Sequence, residues 1–90
     1  MASSEDRWRA YAAELGVALA RARRSTGLSQ ERVAHAAGIS TFTYRKLEKG
    51  ESNPGTAANP RLRTLVALAQ TLGVPVAELL PPDPDVAPGR

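Results

Sequence analysis

Hydrophobic residues recur every three or four positions along most of this 90-residue chain. In the first segment Trp8, Tyr11, Leu15, Leu19 and Ala22 fall on one side of a helix. Val and Ile are few, and no stretch alternates cleanly between apolar and polar residues, so strands are not expected. The pattern predicts an all-α fold.

Serine and glycine mark where the first three helices should begin and end. A serine can cap a helix start through its side chain, and glycine tolerates the left-handed backbone that often ends one. Ser3 with Asp6 resembles a capping box. The boundary residues are Ser3, Gly27, Ser29, Gly38, Ser40 and Gly50. Together they predict helices over about 5–25, 30–37 and 41–49.

The second half predicts a loop, two more helices and a tail. Residues 51–59, ESNPGTAAN, have turn chemistry throughout. Asn59 and Pro60 then suit the start of a fourth helix. Its inward positions are Leu62, Leu65, Leu68, Ala69 and Leu72, and a short fifth helix follows from about residue 74 to 80. The result is a compact bundle of five helices, followed by a proline-rich tail, 81–90, that we expect to be disordered.

Composition excludes several classes of function. The chain has no cysteine, which rules out disulfides and thiolate metal sites and fits a reducing, cytoplasmic location. The N-terminus lacks the apolar block of a signal peptide, and no run approaches the ~20 apolar residues that span a bilayer. His35 has no partner at metal-ligand spacing. Without a glycine-rich phosphate loop or a clustered acid–base pair, neither an enzyme nor a bound cofactor or metal is expected.

Charge is unevenly divided along the chain. Residues 1–50 hold nine Lys or Arg against five acids, whereas residues 51–90 hold three against four. A basic half indicates an anionic partner such as nucleic acid. An ordinary solvated surface is the alternative that charge alone leaves open.

Residues 27–50, GLSQERVAHAAGISTFTYRKLEKG, carry the functional information. They predict two short helices with very little chain between them. Ala34 and Ala37 are small, so another helix can cross the first one closely, at the steep angle of a helix-turn-helix unit. Such a unit can place its second helix in the major groove of DNA while the first crosses the backbone.

These residues resemble the lambda-repressor-like (Cro/repressor, XRE) helix-turn-helix family. The matching pattern runs from LSQ-E-x-VA-x-x-AG-I-S to LE-x-G, followed by NP and regularly spaced leucines. It covers residues 15–80, with the helix-turn-helix at about 30–49 and with 1–14 as an extension of the first helix. The resemblance implies a transcriptional regulator that binds double-stranded DNA as a homodimer on a palindromic operator, with Thr41–Lys49 as the recognition helix.

The resemblance also implies which residues meet DNA, and a solvated surface role is the alternative for each. Gln30 would contact a phosphate from a helix start, where backbone N–H groups also favour an anion. Lysine can donate to guanine, and threonine or phenylalanine can pack on a thymine methyl. The groove-facing set is Thr41, Phe42, Thr43 and Lys46, and the further phosphate set is Ser40, Arg45 and Lys49. Arg23 and Glu48 match a pair that joins the first helix to the third.

Phe42 is the only phenylalanine of the chain and stands near the start of the recognition helix. Tyr44 and Leu47 are expected in the core. Because Phe42 lies two positions before Tyr44, it points away from that inner face. We expect it at the groove-facing end, where it would contact a thymine methyl or stack against a backbone sugar. The alternative is that it folds back over the turn onto Ile39.

Two departures from the family pattern affect the interface. Residues 55–60 lengthen the loop before the fourth helix, and we expect this loop over the DNA backbone or a partner subunit, with Arg61 near a phosphate. Trp8 and Tyr11 extend the first helix, where they cover the core or form a dimer contact. An apolar patch around Trp8 would favour an antitoxin-like or partner-regulated interaction module that also binds DNA.

Overall fold

A computed structural model describes residues 2–87, and these residues contain five helices and one short hairpin. The helices are α1 (Ser4–Thr26), α2 (Gln30–Ala37), α3 (Thr41–Glu48), α4 (Leu62–Leu72) and α5 (Val76–Leu79), and the strands are β1 (Glu51–Asn53) and β2 (Thr56–Ala57). The predicted bundle of five helices is confirmed. None of the helices in this range is long and apolar enough to cross a membrane.

Serine side chains fix the starts of the first three helices, as predicted. The Ser3 hydroxyl accepts from the Asp6 backbone N–H at 3.1 Å, and the Asp6 carboxylate accepts from the Ser3 N–H at 3.3 Å. Ser29 and Ser40 each accept from the N–H three residues later, at 3.1 and 3.0 Å. These bonds satisfy amide groups that a helix start leaves unpaired.

The start of α4 differs from the prediction. Arg61, not Asn59, occupies the cap position, and no side chain caps the helix there. Ala58 is buried, and its N–H donates to the Gly50 carbonyl at 2.8 Å. Because this bond holds the chain against the end of α3, the helix begins only beyond Pro60. Leu62, expected to face inward, is instead 71% exposed.

The hairpin corrects the expectation that the chain has no strands and that residues 51–59 form only a loop. Glu51 pairs with Ala57 and Asn53 with Thr56, with an irregular register between them. Pro54 and Gly55 form the turn, and Gly55 has a φ of 80°. Proline followed by a positive-φ glycine is typical of a type II turn. Strands this short have no detectable alternation, so the sequence predicted the turn but not the strands.

The core draws on every helix and on the end of the hairpin. Its largest fully buried side chains are Tyr44, Leu19, Leu68, Leu79 and Val33. Tyr44 and Leu47 lie in the core as predicted, and Ala34 on α2 is also buried. Burial of these side chains stabilises the fold by roughly 25 cal/mol per Å² of apolar surface. The core therefore fixes α2 and α3 relative to the rest of the bundle.

The backbones of α1 and α3 approach each other closely at two glycines. A Cβ atom at Gly16 would lie 2.5 Å from the Glu48 carbonyl oxygen, and one at Gly50 would lie 2.7 Å from the Ala13 Cα. Real Cβ atoms do not come so close to backbone, so only glycine fits at either position. This approach holds α3 against α1.

The N-terminal extension of α1 holds the hairpin. The indole N–H of Trp8 donates to the Ala58 carbonyl at 2.9 Å, and Arg9 donates to the Gly55 carbonyl at 3.1 Å. Trp8 also stacks on Tyr11 with ring centroids 5.3 Å apart, and both rings are half-buried. The first turns of α1 thus position the extended loop, a role that the sequence did not predict. A dimer contact through these rings stays a prediction.

The described part of the proline-rich tail lies along α1. Pro82 and Pro84 line a shallow cleft with Arg7 and Tyr11, and the Arg7 guanidinium donates to the Asp85 carbonyl. The disorder expected for this tail stays a prediction, although residues 82–85 have defined contacts with the helix. Residues 88–90 of the tail lie outside the described range.

Candidate nucleic-acid interface

The turn between α2 and α3 is short and well bonded. Gly38 ends α2 with a φ of 77°, and the Ile39 N–H donates to the Ala34 carbonyl at 3.0 Å. Ser40 then caps α3. With so little chain between the two helices, their geometry is that of a helix-turn-helix, and the first turn of α3 lies at the protein surface.

The two sides of α3 differ sharply in exposure. Tyr44 and Leu47 are 0% and 5% exposed. The predicted DNA-contacting residues of α3 lie on its solvent side. Phe42, Thr43 and Arg45 are exposed there, Lys49 is exposed at the C-terminal cap, and Thr41 and Lys46 are half-buried.

Phe42 is 68% exposed. The alternative in which it folds back over the turn onto Ile39 is therefore wrong. Its ring instead contacts Lys46, whose Nζ lies 4.2 Å from the ring centroid. Residues four apart are neighbours on a helix surface, and an ammonium over an aromatic face is attracted by the ring quadrupole. The contact gives both side chains a defined position.

A partly buried ion pair joins α1 to α3, as the family resemblance implied. Arg23 Nε lies 2.6 Å from Glu48 Oε2, and Nη2 lies 3.2 Å from Oε1. The side chains are only 15% and 8% exposed. Arg23 also donates to the Leu28 carbonyl at 3.2 Å. This two-point geometry locks the orientation of α3 on the bundle.

Gln30 extends the ion pair toward the surface. Its Nε2 donates to Glu48 Oε1 at 2.9 Å, and its Oε1 accepts from Arg45 Nε at 3.3 Å. Gln30 and Arg45, both predicted to contact phosphates, are thus brought together. The link to Glu48 spans 18 residues of sequence, and no local pattern indicated it. One amide hydrogen of Gln30 is not used in these bonds.

The hydroxyl of Ser40 is used within the protein. It accepts from the Thr43 N–H at 3.0 Å and donates to the Thr43 hydroxyl at 2.9 Å. The Thr43 hydroxyl keeps its own hydrogen for an outside acceptor. Arg61 is exposed at the cap of α4.

The environment of the ion pair shifts two pKa values. Burial alone would raise the pKa of Glu48, but the hydrogen bonds from Arg23 and Gln30 outweigh it and lower that pKa below its usual 4.5. Burial, and next the adjacent Glu48 carboxylate, raise the pKa of the Tyr44 phenol. Glu48 is therefore charged and Tyr44 neutral across the physiological range.

Acid is expected to weaken the fold through Glu48. Because the pKa of Glu48 is lower in the folded chain than in the unfolded chain, the stabilisation is present above about pH 4.5 and is lost as the pH falls toward the folded value. As the pH falls below about 5, the free energy of unfolding in urea should therefore fall more steeply in the wild type than in Glu48→Gln, which has no carboxyl group to titrate at this position. Equal slopes in the two proteins would contradict this assignment.

Comparison with known proteins agrees with this geometry. A family model described as a helix-turn-helix domain matches residues 14–81. Over 68 residues the chain is 41% identical to the uncharacterized HTH-type transcriptional regulator y4dJ of Sinorhizobium fredii, an alignment that covers 76% of this chain and 80% of that protein. The restriction-modification controller protein C.AhdI of Aeromonas hydrophila has a TM-score of 0.70 at 28% identity, covering 79% of this chain and 98% of that one.

A phage repressor is a second sequence relative. The chain is 42% identical over 53 residues to the cryptic phage CTXphi transcriptional repressor RstR of Vibrio cholerae, covering 59% of this chain and 42% of the repressor. This chain therefore spans less than half of that repressor. The family match includes all of α2 to α5 and most of α1. The chain belongs to the lambda-repressor-like (Cro/repressor, XRE) helix-turn-helix family of DNA-binding transcriptional regulators and is not an enzyme.

Proposed function

We propose that the chain recognises a specific DNA sequence by inserting α3 into the major groove, and that it regulates transcription as a repressor. The observation that supports this best is the exposed side of α3, which carries Thr41, Phe42 and Lys46 on a helix locked to α1 by the Arg23–Glu48 pair. A rigid helix can present base-reading side chains in one register. Its place of action would be the cytoplasm, where bacterial DNA lies.

In this proposal one group of residues contacts bases and another contacts phosphates. Thr41, Phe42, Thr43 and Lys46 face the bases, and Gln30, Ser40, Arg45, Lys49 and Arg61 face phosphates. Base contacts specify the sequence, whereas phosphate contacts fix the position of the protein on the duplex. The bond from Arg45 to Gln30 at 3.3 Å supports a shared phosphate for these two residues.

A homodimer on a palindromic operator completes the proposal. One domain of this size covers few base pairs, and two copies would read half-sites spaced by about one helical turn, ~34 Å. The extended loop, residues 55–60, lies over the DNA backbone or the partner subunit, with Arg61 near a phosphate. The bonds that Trp8 and Arg9 make to the loop support a fixed position for it.

An antitoxin-like interaction module remains the second class of function. It was expected to show an unpaired apolar patch around Trp8. The Trp8 ring is half-buried, stacked on Tyr11 and bonded to the Ala58 carbonyl. We therefore prefer DNA recognition.

Selection of bound duplexes from a random pool at moderate salt tests the proposal. We expect an enriched palindromic sequence. Lys46→Ala should weaken binding to it by about 1–3 kcal/mol and relax one base position, because a direct base contact is lost. Affinity should also fall steeply with salt, since phosphate contacts release counterions.

Lys49→Ala is the matched control, because it removes the same charge one turn away at the end of α3. It should weaken binding to all duplexes by a similar factor and reduce the salt dependence of the affinity, without relaxing the base preference at any position. A pool with no enriched sequence would refute sequence-specific binding.

A further inference from the structure

Phe42 and Lys46 form one chemical unit on the solvent side of α3. The Lys46 Nζ lies 4.2 Å from the ring centroid, and Phe42 is 68% exposed. Because the two residues are one helical turn apart, the helix holds them at a fixed spacing. The unit presents an aromatic edge and an ammonium group side by side.

We infer that this unit reads a single base-pair step, in which a pyrimidine with a C5 methyl group lies next to a guanine. The Phe42 ring packs on the methyl group, and the Lys46 ammonium donates to guanine O6 and N7. The ammonium lies 4.2 Å from the ring centroid, a separation similar to the rise of about 3.4 Å per base pair, and this similarity favours contacts with neighbouring pairs. This inference rests on the proposed function, because it requires α3 to enter the major groove.

The charge of Lys46 is available for this contact. Within residues 2–87 the structure has one salt bridge, Arg23–Glu48, so no carboxylate neutralises Lys46. An ammonium has three N–H donors, and the ring face occupies only one side of it. Entry into the groove removes water from the pair, which strengthens the attraction between ammonium and ring.

The methyl group decides which bases are accepted. Thymine presents it in the major groove, whereas uracil differs from thymine only in lacking it, and 5-methylcytosine carries it at the same ring position. A ring that reads the methyl group therefore accepts 5-methylcytosine better than cytosine at this position. The affinity of the protein becomes sensitive to C5 methylation of its target.

The test uses the full chain and the duplex enriched by selection, with each thymine replaced in turn by uracil and each guanine by 7-deazaguanine. At one position uracil should weaken binding about fourfold, the factor for one buried methyl group. At the neighbouring pair 7-deazaguanine should weaken it about tenfold. Phe42→Ala should abolish the uracil effect, and Lys46→Met should abolish the 7-deazaguanine effect. At that thymine, 5-methylcytosine should bind more tightly than cytosine.

Lys49→Met removes a charge without changing the Phe42 ring. It should weaken binding to every duplex and leave both base effects intact. Thermal melting checks that each variant folds. Uracil sensitivity that persists in Phe42→Ala, or a sensitive thymine and guanine that are not neighbours, overturns the inference while DNA recognition stands. If no sequence is enriched at all, the proposed function fails and this inference fails with it.

Discussion

Gly50→Ala is expected to lower the free energy of unfolding by about 2–5 kcal/mol, a large part of the stability of a domain this small. Two costs combine. Gly50 has a φ of 76°, where a side chain costs about 1–2 kcal/mol. The added Cβ would also lie 2.7 Å from the Ala13 Cα and 2.9 Å from its nitrogen, and overpacking against backbone costs about 1–3 kcal/mol more. Urea unfolding followed by circular dichroism measures the loss.

Gly73→Ala separates the two costs. Gly73 ends α4 with nearly the same φ, 73°, but a Cβ there has no atom within 4 Å. Gly73→Ala should therefore lower the free energy of unfolding only by the cost of the backbone conformation, about 1–2 kcal/mol. If Gly50→Ala costs no more than Gly73→Ala, the contact between α1 and the end of α3 is looser than described.

Glu48→Ala is expected to cost about 1–3 kcal/mol, because it leaves the partly buried Arg23 guanidinium without its partner. The two side chains are 15% and 8% exposed, so water replaces the lost carboxylate poorly. Gln30 also loses the carboxylate to which its amide group donates. DNA affinity should therefore fall even at temperatures where the variant stays folded. Urea unfolding and a DNA titration at low temperature measure the two effects.

The double variant Arg23→Met with Glu48→Leu tests whether the cost comes from the unpaired charge. Replacing both members with apolar residues of similar size is often nearly neutral, so most of the stability should return. Glu31→Ala, at an exposed acid on α2, controls for the simple loss of a negative charge. A similar loss for Glu31→Ala and Glu48→Ala would contradict the role given to the pair.

Much of this fold is local in origin, and that part could be predicted from sequence. The starts of α1 to α3 follow from serines that bond to backbone three residues later, and leucine spacing predicts the buried faces except at Leu62, which is exposed. The start of α4 could not be predicted in this way. It depends on the bond between Ala58 and Gly50, a contact that Asn59 and Pro60 do not reveal.

The candidate site likewise has one part that local sequence predicts and another part that depends on contacts between distant residues. The exposure of Phe42 follows from its place two residues before buried Tyr44, and its contact with Lys46 follows from their spacing on one helix. Arg23 and Gln30 both donate to the Glu48 carboxylate, across 25 and 18 residues of sequence. The Arg23 pair was expected only from family resemblance, and the Gln30 bond was not expected at all.

The bond from Trp8 to the Ala58 carbonyl has a practical consequence. Trp8 is the only tryptophan of the chain, and its indole is half-buried between Tyr11 and the end of the hairpin. Indole emission shifts in wavelength with the polarity and hydrogen bonding around the ring. The tryptophan emission of the unlabelled protein therefore arises where the N-terminal extension contacts the loop, and it records any separation of the two.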